Sequence, residues 1–109
     1  MLITTQDELS DYQITKTLGL VKGNTIRARH IGKDILASLR SMVGGEILEY
    51  TKMISESREQ ALDRMIEQAQ EMGADGIVCV RYTTTAVLSG SAEMFVYGTA
   101  VKLDKNSDT

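Results

Sequence analysis

Residues 53–82 read MISESREQALDRMIEQAQEMGADGIVCVRY and contain the two patterns that decide the fold. In the first part, apolar residues recur at intervals of three and four, which is the spacing of one face of an α-helix. Gly73 follows this pattern in the position that commonly ends a helix. We therefore predict a long helix from near Glu46 to Gly73, with an apolar face formed by Met53, Ile54, Ala61, Leu62, Met65, Ile66, Ala69 and Met72.

The second pattern is the continuous apolar run from Ile77 to Tyr82, which predicts a central strand covered on both faces. A polar stretch around Leu88 to Ser91 separates it from a last strand, Glu93 to Leu103, so the two form an antiparallel hairpin. Within that last strand, Met94, Val96, Gly98 and Ala100 share one face, and Phe95, Tyr97, Thr99, Val101 and Leu103 share the other.

Both faces of the last strand are largely apolar, and the small residues Gly98 and Ala100 suit the close approach of a helix. The two predicted helices of one chain can therefore cover only the face that contains Gly98 and Ala100. We expect the bulkier face to be covered by a second subunit. The alternative is a twisted edge strand with a few exposed hydrophobic residues, which are normal when they are scattered singly.

The first half of the chain contains weaker signals. Alternation from Tyr12 to Leu20 predicts a half-buried strand with Tyr12, Ile14, Leu18 and Leu20 on one face. The pair Gly23-Asn24 is typical of a turn, so the segment from Thr25 to Arg29 is interpreted as the second strand of a hairpin. From Asp34 the spacing predicts a short helix that stops at Gly44-Gly45.

The order of strands, two helices and two strands predicts an α+β fold, a small, mainly antiparallel sheet with two helices on one face. With 109 residues the chain can bury one core, so we expect a single domain over 1–103 and a polar tail over 104–109.

Composition excludes several classes of protein. Twelve basic residues among fifteen acidic ones, and a net charge of -3, argue against a nucleic-acid partner. No stretch approaches the ~20 apolar residues of a membrane span, so we expect no membrane association. Cys79 is the only cysteine, so no disulfide can form within the chain, and a reducing cytoplasm fits best.

The sequence contains few residues that could bind a metal ion. One histidine and one cysteine cannot form a thiolate cage within one chain. A divalent metal site between subunits is possible in principle, with ligands from His30, Glu46, Glu49 and Glu93. Three of them have an alternative: His30 lies in a basic segment and fits a surface or interface position, while Glu46 and Glu49 are favoured at the start of a helix.

No nucleophile elbow, phosphate loop or dinucleotide motif is present, so we predict that the protein is not an enzyme. The double glycine Gly44-Gly45 lets a ligand or a neighbouring chain approach the backbone closely, although it also fits a simple turn. Arg58 fits a solvated or interface position better than an anion clamp. The candidate ligand or interface residues are Arg27, Gly44, Gly45, Tyr50 and Arg58.

Several of these segments together resemble the YbjQ-like family of uncharacterised bacterial proteins, some of which are labelled heavy-metal-binding. The resemblance runs from about Met1 to Val101 and rests on the order and spacing of Gly19 to Gly23, Arg27 to Ile35, Gly44 to Glu46, Tyr50-Thr51, Met65, Gly73 to Gly76, and Gly98 to Ala100. It implies a dodecin-like subunit that assembles into a ring, typically a homopentamer. Cys79 stands where we expect a small residue in relatives, so it is not carried over as a ligand.

Two functions are therefore expected. The first is a non-catalytic homo-oligomeric binding or scaffold protein whose ligand is unknown. The alternative is heavy-metal binding or sequestration between subunits.

Overall fold

The computed structural model describes residues 1–27, 48–88 and 91–106. These residues form strands β1 (Leu2–Ile3), β2 (Tyr12–Arg27), β3 (Gly76–Leu88) and β4 (Ser91–Lys105), and helix α1 (Leu48–Glu71). The strands form one sheet in the order β1-β3-β4-β2, with β1 parallel to β3 and the other two pairings antiparallel. The α+β class is therefore confirmed. The short helix predicted from Asp34 lies outside the described residues.

Strand β2 corrects the predicted hairpin in the first half of the chain. It is continuous over 16 residues and pairs with β4 along its length, so the turn predicted at Gly23-Asn24 is wrong. Gly23 faces α1, where a Cβ atom would overlap the carbonyl oxygen of Ala61 and lie 2.7 Å from the amide nitrogen of Met65. The glycine thus permits contact between helix and strand backbones, and does not mark a turn.

Two irregularities disturb the predicted alternation in β2. The register with β4 shifts between Ile14 and Lys16 and again between Thr17 and Gly19, where Gly19 has a φ of +136°. Each inserted residue reverses the face that the following side chains occupy. Leu18 therefore packs against the core, whereas Leu20, predicted on the same face, is 66% exposed.

Helix α1 packs mainly on β2 and β4 and ends as predicted. Ala61, Met65 and Ala69 are fully buried against the sheet, whereas Leu62 and Ile66 are only partly buried. At the C-terminus, Gly73 has a φ of +78°, its N–H donates to the Gln70 carbonyl at 3.0 Å, and Ala74 N–H donates to the Ala69 carbonyl at 3.0 Å. These two bonds form a Schellman motif, which confirms the glycine stop.

The core lies between α1 and one face of the sheet, and its buried members are Val21, Ala61, Met65, Ala69, Ile77, Val80, Val96 and Ala100. The predicted role of Gly98 needs correction. A Cβ at Gly98 would lie 2.7 Å from Cγ2 of Ile77 and 3.2 Å from Cγ2 of Val80. Gly98 therefore makes room for side chains of the neighbouring strand β3, while Gly23 admits the helix.

Strand β3 is covered on both faces only at its beginning. Ile77 is opposite Ala100 and Val78 is opposite Thr99, so they occupy opposite faces, and both are buried. The strand then bulges between Val78 and Arg81, with Cys79 at a φ of 57°. All residues from Arg81 to Thr85 are exposed, so the predicted cover on both faces does not extend to Tyr82.

The C-terminal strand continues past the predicted boundary. Asp104 and Lys105 belong to β4, so they are part of the sheet and not of the predicted tail. Asn106 donates from its backbone N–H to the Asp11 carbonyl at 2.8 Å and from Nδ2 to the Ser10 carbonyl at 3.0 Å. These bonds tie the end of β4 to the residues that precede β2.

Asp75 links the end of α1 to β4 and should contribute to acid sensitivity. Its carboxylate accepts the Leu103 N–H at 2.9 Å and the Lys102 ammonium at 3.3 Å, and these bonds lower its pKa below the usual 3.8. The stabilisation is therefore present above about pH 4 and is lost as the pH falls through the lowered pKa of the folded state. We expect Asp75→Asn to remove this dependence, as measured by melting temperature between about pH 2 and pH 7.

The matched control is Asp63→Asn, which removes the same charge from an exposed position on α1. If the two variants and the wild type lose stability in parallel on acidification, the Asp75 hydrogen bonds do not contribute to the acid response.

Candidate functional site

The face of the sheet that points away from α1, termed the outer face, carries exposed apolar side chains. Leu20 and Ile26 of β2 lie opposite Thr99 and Glu93 of β4, on the side away from the core residues Val21 and Val96. Leu20 is 66% exposed, Ile26 is 59% exposed and Tyr97 is 38% exposed. Phe95 is partly buried, with its ring centroid 5.7 Å from that of Tyr97. These residues form an aliphatic and aromatic patch that α1 does not cover.

Polar side chains lie within this patch as well, because Lys22 and Asn24 stand between Leu20 and Ile26 on β2. Asn24 donates from Nδ2 to Oε2 of Glu93 at 3.1 Å, and Lys22 lies directly opposite Tyr97. Glu93 is partly buried. Within the described residues, no three His, Cys, Asp or Glu side chains lie close enough to hold a metal ion. Glu93 is therefore engaged by an amide and is not joined by further ligands there.

The other predicted site residues divide into two sets. His30, Gly44, Gly45 and Glu46 lie outside the described residues, and so do the side chains of Arg27, Glu49 and Tyr50. Arg58 is exposed on α1, on the side of the sheet opposite Glu93. The two predicted site residues whose side chains the structure describes, Arg58 and Glu93, therefore do not share a site.

The second half of β3, Arg81–Leu88, is termed the β3 arm. Its register with β4 is regular from Arg81 opposite Tyr97 to Ala86 opposite Ala92. Tyr82 is 50% exposed on the α1 side, and partial burial raises the pKa of its phenol, with Glu59 adding to the increase and Arg58 opposing it. This exposed segment differs from the predicted strand, which was expected to be covered on both faces as far as Tyr82. The signal available was the run of three threonines at 83–85, which breaks the apolar pattern.

The two edges of the sheet differ in how their backbone groups are satisfied. At β3, the N-terminal residues supply partners as far as Val80, whose N–H donates to the Thr4 carbonyl at 3.1 Å. No strand among the described residues pairs with the edge of the β3 arm. At β2, by contrast, Lys22 N–H donates to Oε1 of Gln68 at 2.8 Å, and Arg64 donates to the Asn24 carbonyl.

An open cleft of about 680 Å³ lies beside the start of the arm, between residues 5–10 and the side chains of Cys79 and Arg81. The Arg81 guanidinium donates to the carbonyls of Thr5 and Val80, each at 2.9 Å. Cys79 is a free, half-buried thiol. Asp7 and Glu8 also line the cleft, but the described residues form no metal-binding group there. The guanidinium therefore anchors the N-terminal segment to β3.

The family model YbjQ_1, described as "Putative heavy-metal-binding", matches residues 1–104. A UPF0145 protein of Methanococcus vannielii is 61% identical over 105 residues, which cover 96% of this chain and 100% of that protein. A UPF0145 protein of Dehalococcoides mccartyi is 56% identical, covering 93% and 97%, and one of Thermosipho africanus is 46% identical, covering 99% and 100%. The Methanococcus protein is archaeal, so the comparisons do not show a bacterial origin for this chain.

Among solved structures, the fold is similar to that of a protein of unknown function from Pediococcus pentosaceus in the DUF74 family. The TM-score is 0.64 at 20% identity, over 95% of this chain and 98% of that one. In the described part of this chain, no helix is long and apolar enough to cross a membrane.

Proposed function

The chain belongs to the YbjQ family, and from that premise we propose that it is a non-catalytic homo-oligomer that binds a ligand or serves as a scaffold at surfaces between its subunits. The observation that carries the proposal is the apolar outer face around Phe95 and Tyr97, which lies on the side of the sheet without α1. A second subunit that covers this patch would remove its apolar area from water, at about 25 cal/mol per Å². The names of the relatives state no catalytic activity.

We place this assembly in the cytoplasm, where the free thiol of Cys79 stays reduced.

We expect light scattering after gel filtration to give a mass of about 60 kDa, which corresponds to five 12.0 kDa subunits. Tyr97→Glu places a charge in the apolar patch and should shift the protein toward monomer at the same concentration. Ser55→Glu, which adds the same charge on the exposed side of α1, is the control and should leave the mass unchanged. A wild-type mass of about 12 kDa at micromolar concentration would contradict the proposal.

The alternative function is binding of a heavy metal between subunits, and the description of the family favours it. The described residues do not fit a metal site by themselves, because they contain no group of three suitable donors. A site would therefore need donors outside the described part or from a neighbouring copy, and the predicted ligands are His30, Glu46, Glu49 and Glu93. Elemental analysis of untagged protein tests this. A stoichiometric metal that Glu93→Gln reduces supports the alternative, and metal-free protein that also fails to bind added Zn²⁺ excludes it.

A further inference from the structure

We propose that the outer face binds a mononucleotide, with its base stacked on the aromatic pair Phe95 and Tyr97 and its phosphate held by Lys22 and Arg81. The inference rests on the proposed function, because it names the class of ligand for the face on which subunits are proposed to meet. The side chains that carry it all belong to one chain.

Tyr97 stands in the middle of a row of three exposed side chains. Lys22 of β2 lies directly opposite Tyr97 of β4, and Tyr97 lies directly opposite Arg81 of β3. Residues directly opposite each other in paired strands project from the same face of the sheet. Two strand spacings, about 10 Å, separate the backbones at Lys22 and Arg81. The Tyr97 ring therefore has a cation on each side.

Both cations are available to an anion. Within the described residues, neither Lys22 nor Arg81 forms an ion pair. Arg81 donates through Nη1 to the carbonyls of Thr5 and Val80, and these neutral groups fix the guanidinium without compensating its charge. Guanidinium and ammonium groups are the side chains that proteins most often use to bind phosphate. The row therefore presents two positive charges that are complementary to a phosphate group.

The rings beside these cations provide a surface for stacking. The centroids of Phe95 and Tyr97 are 5.7 Å apart and their planes are tilted by 35°, which is typical of a favourable aromatic pair. Phe95 is partly buried and supports Tyr97, which is 38% exposed. Bases stack on exposed aromatic side chains of this kind where a sheet surface binds nucleotides. An aromatic ring next to two cations thus fits a ligand that joins a planar base to a phosphate.

The next row of the outer face offers groups for the edge of a base. Asn24 and Thr83 lie directly opposite Phe95, one on each side. Nδ2 of Asn24 donates to Glu93 at 3.1 Å, and Thr83 is exposed. Amide and hydroxyl side chains are common hydrogen-bonding partners of base edges. Along β4, the face therefore passes from cations to polar uncharged groups, as a nucleotide passes from its phosphate to its base.

The number and position of the charges indicate a mononucleotide and not a nucleic-acid strand. A strand of nucleic acid is held by several cations that follow its backbone. Here the row of two cations is bounded by carboxylates, with Glu93 beyond Phe95 on the outer face, and Asp7 and Glu8 in the cleft beside Arg81. The net charge of -3 would also oppose a long polyanion. One phosphate between Lys22 and Arg81 requires no further cations.

Isothermal titration of the wild type with AMP, adenosine and inorganic phosphate tests the two parts of the ligand separately. GMP, CMP and UMP are titrated in parallel, because the face does not specify the base. We expect at least one nucleotide to bind about tenfold more tightly than phosphate, and AMP to bind more tightly than adenosine. Equal affinity for phosphate and all four nucleotides would overturn the inference, as would affinity for oligoadenylate that rises with its length.

Lys22→Gln tests the phosphate contact. We expect it to raise the dissociation constant of the bound nucleotide about tenfold and to leave that of the nucleoside unchanged. Lys16→Gln is the matched control, because it removes the same charge from an exposed position on the same strand, opposite Lys102. An equal loss of affinity in both variants would mean that the charge acts at long range and that Lys22 does not hold the phosphate.

Tyr97→Leu tests the stacking and separates it from subunit assembly. The leucine keeps an apolar side chain at the centre of the patch but removes the ring, so the oligomer should persist while the dissociation constant of the nucleotide rises about tenfold. An unchanged nucleotide affinity would overturn the stacking on this ring. An oligomeric wild type that binds none of the four nucleotides at millimolar concentration would overturn the inference and leave the homo-oligomer standing. A monomeric wild type would contradict the proposed function itself.

Discussion

Gly23→Ala should destabilise the protein by more than the ~1–3 kcal/mol that is typical of overpacking in a core. The added Cβ would overlap the carbonyl oxygen of Ala61 and lie 2.7 Å from the amide nitrogen of Met65. Both are backbone atoms of α1, so no side chain can rotate away, and the helix must move as a unit. Because α1 buries Ala61, Met65 and Ala69 at this contact, the displacement also opens the core. Urea denaturation at fixed protein concentration measures the loss.

Gly73→Ala provides the comparison, because it tests the effect of an unfavourable backbone conformation without a steric clash. No atom lies within 4 Å of a Cβ built at Gly73, but its φ of +78° is unfavourable for other residues. We expect a loss of ~1–2 kcal/mol there, and a smaller one for Gly73→Asn, since asparagine tolerates the left-handed conformation. If Gly23→Ala costs no more than Gly73→Ala, α1 and β2 are not in the close contact described.

The sequence predicted α1 and its end because the signals for both are local. An apolar repeat over 24 residues and a single glycine at C′ need no knowledge of the rest of the fold. The same is true of the alternation in β4, whose residues Met94, Val96 and Ala100 are buried as one face. The α+β class followed from the order of these elements.

The errors all concern contacts between distant segments. The pair Gly23-Asn24 has the sequence of a turn. Only the contact of Gly23 with Ala61 and Met65 of α1, about 40 positions later, explains why a glycine stands there. The two bulges in β2 are set by its register with β4, so the predicted face of Tyr12 to Leu20 could not be corrected from its own sequence. Strand β1 is defined by its pairing with Gly76 and Ile77. Because it has only two residues, it is too short to give a periodic signal in the sequence.

The candidate site was predictable only in part for the same reason. The two apolar faces of β4 predicted that α1 covers only one of them, and Tyr97 on the other face is 38% exposed. That a second subunit covers this face stays a prediction. The predicted metal set of His30, Glu46, Glu49 and Glu93 stays a prediction, because the structure describes only the side chain of Glu93 among the four. Among the described residues no strand pairs with the edge of the β3 arm, because β1 ends at Ile3, and the sequence of 81–88 contains no signal for this.

Met65→Ala should destabilise the protein by ~2–5 kcal/mol. Among the helix side chains that the structure describes, Met65 is the largest that is fully buried, and it packs in the cluster that joins α1 to Val21, Ile77 and Val96. Truncation removes its apolar area from the core and leaves a cavity that the surrounding backbone, held by β2 pairing and the Schellman motif, cannot fill completely. The free energy of unfolding from denaturant titration gives the loss directly.

Two other residues predicted on the same helix face provide the comparison that makes this prediction specific. Leu62 is only partly buried, so Leu62→Ala should cost less than Met65→Ala, although the sequence placed both inward. Met72 is 39% exposed beyond the last turn of α1, and Met72→Ala should change stability by no more than ~0.5 kcal/mol. The order Met65, Leu62, Met72 is the expected result. Since all three are apolar residues at helical spacing, any other order would mean that the face of α1 turned toward the sheet differs from the one described.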